Sequence, residues 1–243
     1  MNIRYMIKKI ANSIGFDIVR TNNYIKYPPA RRMKLISSCG IDLIFDVGAN
    51  IGQYAQQMRH LGYRGRIVSF EPINSAYQEL VKHASDDPDW ETVNIALGSK
   101  DSKCEINISD NSSSSSILDI TPTHLRAMAS AQYIGKEQIT IRKMDSIFNQ
   151  YFNPGNKLFI KLDTQGYEKH VINGAENAMN KAVGVQIEMS LVPLFEGELL
   201  LADMVNLMFY KGFVLWSLED EFNNPETGQL LQVNGIFLHK NLV

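Results

Sequence analysis

Four carboxylates stand at or near the ends of apolar runs: Asp46 closes the run from residue 43, Glu71 follows residues 67–70, Asp163 follows residues 157–162, and Glu188 lies within 183–189. A carboxylate after a second strand, some two dozen positions beyond a small-residue turn, is placed to accept ribose hydroxyls. Glu71 holds that position, and the turn is Gly48-Ala49-Asn50-Ile51-Gly52. It is not the three-glycine dinucleotide fingerprint. Asn50 stands between Gly48 and Gly52, and asparagine is the non-glycine residue that most readily takes a left-handed backbone. Asp46, just before the turn, would repel a pyrophosphate at a helix N-terminus and suits a ligand with an ammonium group. S-adenosylmethionine has such a group and a ribose that would reach Glu71, where a carboxylate makes charge-assisted bonds.

Asp163 and Glu188 then fall to the reacting end, as proton acceptors or as ligands of a divalent metal, which the sequence neither requires nor excludes. Lys161 shares a strand face with Asp163, because side chains alternate along a strand. An alternative reading has Asp163 orienting a loop and Lys161 pairing with a buried carboxylate. His124 follows the serine run 112–116 and is a further candidate base, histidine being suited to that role near neutral pH. His170 reads as a helix-surface residue.

Several motifs together resemble the FkbM family of S-adenosylmethionine-dependent methyltransferases. They are FDVGANIGQY at 45–54, SFEP at 69–72, NIALG at 94–98, IKLDTQGYE at 160–168, NGA at 173–175 and QIE at 186–188. The resemblance covers about residues 40–240. It implies a class I methyltransferase (Rossmann-like) α/β fold, with a seven-stranded, mostly parallel sheet whose last strand is antiparallel. It also implies a cofactor lying across the carboxyl ends of the first strands, and O-methylation of a sugar, glycan or polyketide-like hydroxyl. The shared motifs add Gly48, Gly52, Tyr54 and Pro72 to Asp46, Asn50, Glu71 and Asp163 as cofactor-binding residues. By analogy with the fold, Asn94 and Ala96 line the adenine pocket. The family's common K-I-D-V-E-G-x-E segment appears here as KLDTQGYE, so Gln165 replaces a frequent acid. Two other functions stay open: a nicotinamide or nucleotide-sugar oxidoreductase on the same α/β site, and a catalytically inactive module that binds S-adenosylmethionine. The first is weakened by the missing third glycine and by Asp46.

Strands must deliver these carboxylates and helices must cover the sheet. Strands are expected at 43–47, 67–70, 91–97, 104–108, 138–142, 157–162, 183–189, 213–218 and 234–239, and helices at 3–15, 31–38, 73–84, 121–134, from 145, 166–181 and 198–211. Alternating strands and helices imply a mainly parallel sheet covered on both faces. The short connection between the last two strands makes them an antiparallel pair. Thr121-Pro122 reads as a helix cap with a first-turn proline. Residues 109–116 read as a loop, either flexible or ordering over a ligand.

Length and composition fit one α/β domain at 39–243 preceded by a helical extension and linker at 1–38. The net charge is −2, which argues against a nucleic-acid partner. Residues 1–34 are basic, and their first helix is amphipathic, suited to packing on the domain, on a partner subunit or on an anionic membrane surface. Homo-oligomers are compatible with this pattern. Cys39 and Cys104 lack metal-ligand spacing, no apolar run is long enough to span a bilayer and no signal peptide is evident, so a reduced, cytoplasmic chain is expected.

Overall fold

The structure, a computed structural model, describes residues 3–16 and 23–242. Residues 21 and 22 of the expected connector lie outside the described residues. In chain order the elements are α1 (Ile3–Ser13), α2 (Pro28–Cys39), β1 (Leu43–Val47), α3 (Gln53–His60), β2 (Arg66–Phe70), α4 (Asn74–Ala84) and β3 (Trp90–Val93). They continue with β4 (Ala96–Leu97), β5 (Ser102–Ser109), α5 (Pro122–Ala127), β6 (Tyr133–Arg142), α6 (Met144–Tyr151), β7 (Leu158–Leu162), α7 (Glu168–Asn173) and α8 (Glu176–Lys181). The chain closes with β8 (Ala182–Ser190), α9 (Leu201–Tyr210), β9 (Phe213–Asn223) and β10 (Leu230–His239).

Seven strands form one sheet in the order β3-β2-β1-β7-β8-β10-β9, with β10 antiparallel to both neighbours and the other pairs parallel. This is the class I methyltransferase arrangement. Alternation along β1 explains the layers: Leu43, Phe45 and Val47 pack into one core with α6, α7, α8 and α9, while Ile44 faces a second core under α2, α3 and α4. Both faces are therefore covered, as a parallel sheet requires.

The structure departs from the sequence reading in three places. The expected third strand breaks at Asn94-Ile95, so β3 joins the large sheet while β4 pairs with β6 in a separate three-stranded sheet, β4-β6-β5. The expected helix at 121–134 stops after Ala127, and Tyr133 already belongs to β6. Thr121 does cap α5, its hydroxyl accepting from the His124 amide at 3.4 Å, with Pro122 in the first turn. The helix expected at 166–181 is split between α7 and α8 at Gly174, where a Cβ would meet the Gly98 carbonyl oxygen at 1.9 Å. On α1, Met6, Ile7 and Ile10 are exposed and Ala11 is buried. Both cysteines are free. Among the described residues no helix is long and apolar enough to cross a membrane.

Candidate functional site

On the α2–α3–α4 face, the sheet is apolar through Ile44, Ile67, Phe159 and Ile236 and then turns polar toward the carboxyl ends of its parallel strands. Register aligns Ser69, Asp46, Lys161 and Gln186 in one row across β2, β1, β7 and β8. Two residues further along β8, Glu188 pairs with Asn234, and Asn234 with Glu219. A cavity of about 720 Å³ opens over these rows and continues past the β1 turn to Glu71 and the β4 strand. That volume suits a ligand of cofactor size with room for an acceptor.

Lys161 is the centre of the first row. Its Nζ lies 3.1 Å from Asp46 Oδ1 and 3.3 Å from Asp163 Oδ2, and donates to the Gly48 carbonyl at 2.8 Å. The Asp46 contact is close enough for an ion pair but lacks hydrogen-bond geometry, so Oδ1 has no hydrogen-bond donor. Burial opposes the lysine's charge, yet Asp163 and Asp46 hold its pKa above the ordinary value. Asp46 is completely buried, its Oδ2 accepting from the Ser69 hydroxyl at 3.1 Å. Asp46, expected to meet a ligand ammonium, here has Lys161 as its cation and is not among the residues that line the cavity. Asp46 fixes the lysine that fixes the turn.

The turn has the backbone its residues suggested. Asn50 is left-handed at φ 47° and Gly48 at φ 74°. A Cβ on Gly48 would meet the Asp163 carbonyl oxygen at 1.8 Å, so the two strand ends approach as only glycine permits. Gly48→Ala is expected to lower stability by about 2–3 kcal/mol, combining left-handed strain with the displaced β7 end; urea denaturation gives the value, and a loss below about 0.5 kcal/mol would contradict the close approach.

Glu71 closes the cofactor end. Its Oε2 accepts from the Asn50 amide and its Oε1 from the Ile73 amide, each at 2.8 Å. Burial lifts its pKa to about 7 despite these two donors. Each carboxylate oxygen has a further lone pair, so the turn-capping role and the acceptance of ribose hydroxyls are compatible. Apolar Ile73, Ala76, Ile95, Ala96 and Leu97 line the cavity beside it, with Pro72. Asn94 is not on that wall: its Nδ2 donates to the Glu71 and Pro72 carbonyls at 2.9 and 3.0 Å and clamps the chain there. Nor is Gly52, which packs against Trp90 and Leu80 below the turn. Tyr54 does line the cavity, and its buried hydroxyl has no partner. A pocket with an acidic residue at the β2 end, an apolar wall next to it and an unpartnered buried hydroxyl fits an adenosine-bearing cofactor.

At the other end, Gln165 draws Asp163 and Glu188 together. Held left-handed at φ 53°, it donates to Asp163 Oδ1 at 2.9 Å and to Glu188 Oε2 at 2.7 Å. Gln232 adds a donation to Glu188 Oε2 at 3.0 Å. Burial, followed by the charges of Asp163, Glu168 and Glu221, pushes the Glu188 pKa well above its ordinary value. His124 reaches the cavity wall, but its ring packs edge-on against Phe195 and also contacts Phe222, and burial pulls its pKa down to about 4. Such an enclosed imidazole is a weaker base than an exposed histidine, which weighs against the general-base role expected of it. Among the described residues no group of three or more histidines, cysteines or carboxylates is arranged to hold a metal.

Sequence reasoning missed Gln186, Gln232, Asn234 and the Arg32–Glu219 ion pair at 2.9 Å, which brings α2 over the cavity. The signal of the three amides was present but faint: single polar residues inside apolar strand runs. The serine run forms a roof whose Ser112 hydroxyl is 3.4 Å from Asn50 Nδ2.

Residues 46–215 match the methyltransferase FkbM domain. No curated protein matches. Among solved structures, a methyltransferase FkbM from Methylobacillus flagellatus KT is 16% identical, with 80% of this chain and 43% of that chain covered and a TM-score of 0.48. This chain thus spans less than half of that protein's length. A 1,6-didemethyltoxoflavin-N1-methyltransferase from Burkholderia thailandensis, bound to its substrate and S-adenosylhomocysteine, is 10% identical over 98% of this chain and 87% of that one, with a TM-score of 0.47. An rRNA methylase from Streptococcus thermophilus is 10% identical over 88% and 98%, with a TM-score of 0.45. With the domain match covering more than half of its length, the chain belongs to the FkbM methyltransferase family.

Proposed function

We propose that this protein is an S-adenosylmethionine-dependent O-methyltransferase acting on a hydroxyl of a sugar, glycan or polyketide-like small molecule. The observation that carries the proposal is a single cavity joining Glu71 and its apolar wall to the Gln165-bridged carboxylates Asp163 and Glu188. The bound cofactor supplies a methyl group on a positively charged sulfur. Glu71 accepts the ribose hydroxyls, and Ile73, Ala76 and Ala96 cover the adenine. Glu188 takes the proton of the acceptor hydroxyl at its second oxygen, Oε1, because Oε2 is held by Gln165 and Gln232. A carboxylate with a raised pKa is the stronger base, and a base matched to the working pH is the more effective one. Gln165 fixes both carboxylates relative to each other, and positioning supplies much of the rate in such displacements. The nicotinamide-dependent alternative falls with the family assignment.

Calorimetry with S-adenosylhomocysteine and NAD, followed by methyl-transfer assays on hydroxylated acceptors, tests this reading. Binding of S-adenosylhomocysteine and not NAD is expected. Glu188→Gln should lower kcat on the order of 10²-fold, the lower end for a general base, since Asp163 stands beside it. Methyl transfer that is unchanged in the variant would remove Glu188 from the mechanism. A chain that binds the cofactor and methylates none of the acceptors would be the inactive module.

A further inference from the structure

The wall that carries Glu188 also contains polar groups to which the proposed mechanism assigns no role. Its side-chain amides donate within the wall: Gln165 and Gln232 to Glu188 Oε2, Asn234 to Glu221 Oε2, and Gln186 to Asn234 Oδ1 at 3.0 Å. Two acceptor oxygens at this wall receive no hydrogen bond from the described residues. Gln186 is 3% exposed and lines the cavity, yet its Oε1 has no donor. Glu221 is exposed at the same wall and keeps its Oε1 free of any hydrogen bond among the described residues. An unpartnered buried acceptor carries a substantial desolvation penalty unless a ligand donates to it.

Charge narrows the donor. Of the cavity's two cations, Arg32 is paired with Glu219 at 2.9 Å, and Lys161 lies between Asp46 and Asp163 at 3.1 and 3.3 Å. Glu188 and Glu221 have no cation within ion-pair distance among the described residues. A neutral polyol would donate to these oxygens but bring no cation to a wall where neither Glu188 nor Glu221 has one among the described residues. An ammonium offers three donors, no acceptor and one positive charge, which is what the wall lacks.

Resting on the methyltransferase reading above, we infer that the acceptor carries a protonated amine, held by Glu221 and Gln186 beside the hydroxyl that faces Glu188. The amine is a binding group and gives up no bond. Its charge also favours the ionised form of Glu188, which burial and the neighbouring carboxylates otherwise disfavour, and so prepares that residue to receive the hydroxyl proton.

Three matched sugars test the inference: methyl α-D-glucosaminide, methyl α-D-glucoside and the N-acetylated glucosaminide. Binding is measured by NMR titration at pH 6.5, where the glucosaminide is mostly in its ammonium form, with and without saturating S-adenosylhomocysteine. The glucosaminide is expected to bind about tenfold or more tightly than either neutral sugar, and Glu221→Gln should reduce that preference to within about threefold. S-adenosylhomocysteine affinity should stay within about twofold in the variant, which also reports that it folds. Equal binding of the three sugars, tighter binding of a neutral one, no binding of the glucosaminide up to about 20 mM, or a preference that survives Glu221→Gln would each overturn the inference. A chain that binds no S-adenosylhomocysteine loses the methyl-donor reading instead, and the sugar series on the free protein still decides the amine.

Discussion

Lys161→Met is expected to destabilise the fold by about 3–5 kcal/mol, the range for removing one partner of a buried charged cluster. For a chain of this length that corresponds to a melting temperature lower by roughly 6–20 °C. Methionine keeps most of the lysine's volume, so packing loss is not the cause. The variant leaves Asp46 without its ion-pair partner, removes the donor to Gly48 O and leaves Asp163 without its nearest cation. Asp46 would retain only the Ser69 hydroxyl. Adding Asp46→Asn to the variant should recover a large part of the loss, because the charge left unpaired is removed with it; the coupling energy of the double-mutant cycle measures this. A loss below about 1 kcal/mol, the scale of an exposed pair, would show that solvent already screens the cluster. The prediction separates two descriptions of Asp46. A residue that contacts a ligand directly would affect affinity when changed, whereas one that holds Lys161 should affect stability first.

The first half of the site was legible because its parts are close in sequence. A strand, a small-residue turn, a helix and a second strand ending in an acid occupy about thirty positions, and Asn50 announced its left-handed backbone by its type. The polar row was legible only in fragments. Ser69 in RIVSF, Lys161 in LFIKL and Gln186 in VGVQIEM each interrupt an apolar run, but their meeting depends on the register between strands far apart in sequence. No local pattern specifies that register. His124 was illegible for a related reason: its neighbours Phe195 and Phe222 come from distant segments, and they enclose the ring of a histidine at the start of a short helix. The second sheet was hidden by continuity. Residues 91–97 look like one strand, yet Asn94 binds the Glu71 and Pro72 carbonyls, and the chain leaves one sheet for another there.

Glu71 should weaken cofactor binding more than any other single change at the adenosine end. Glu71→Ala removes the acceptor for the ribose hydroxyls and also frees the Asn50 and Ile73 amides. At about 2–4 kcal/mol for charge-assisted bonds, S-adenosylhomocysteine affinity should fall on the order of 30- to 1,000-fold. The pH dependence supplies an independent check with a definite sign. Burial raises the Glu71 pKa from 4.5 to about 7. In the free protein, a raised carboxylate pKa favours the fold below the ordinary value, and that contribution is lost as pH rises from 4.5 through about 7. Ligand binding runs the other way, because ribose hydroxyls donate better to the ionised group. Affinity should therefore rise about three- to tenfold between pH 6 and pH 8, while the stability contribution of Glu71 falls. Glu71→Gln cannot ionise, so it should flatten both trends while keeping an acceptor oxygen. Affinity that stays constant across this range in the unmodified chain would mean that Glu71 only caps the turn.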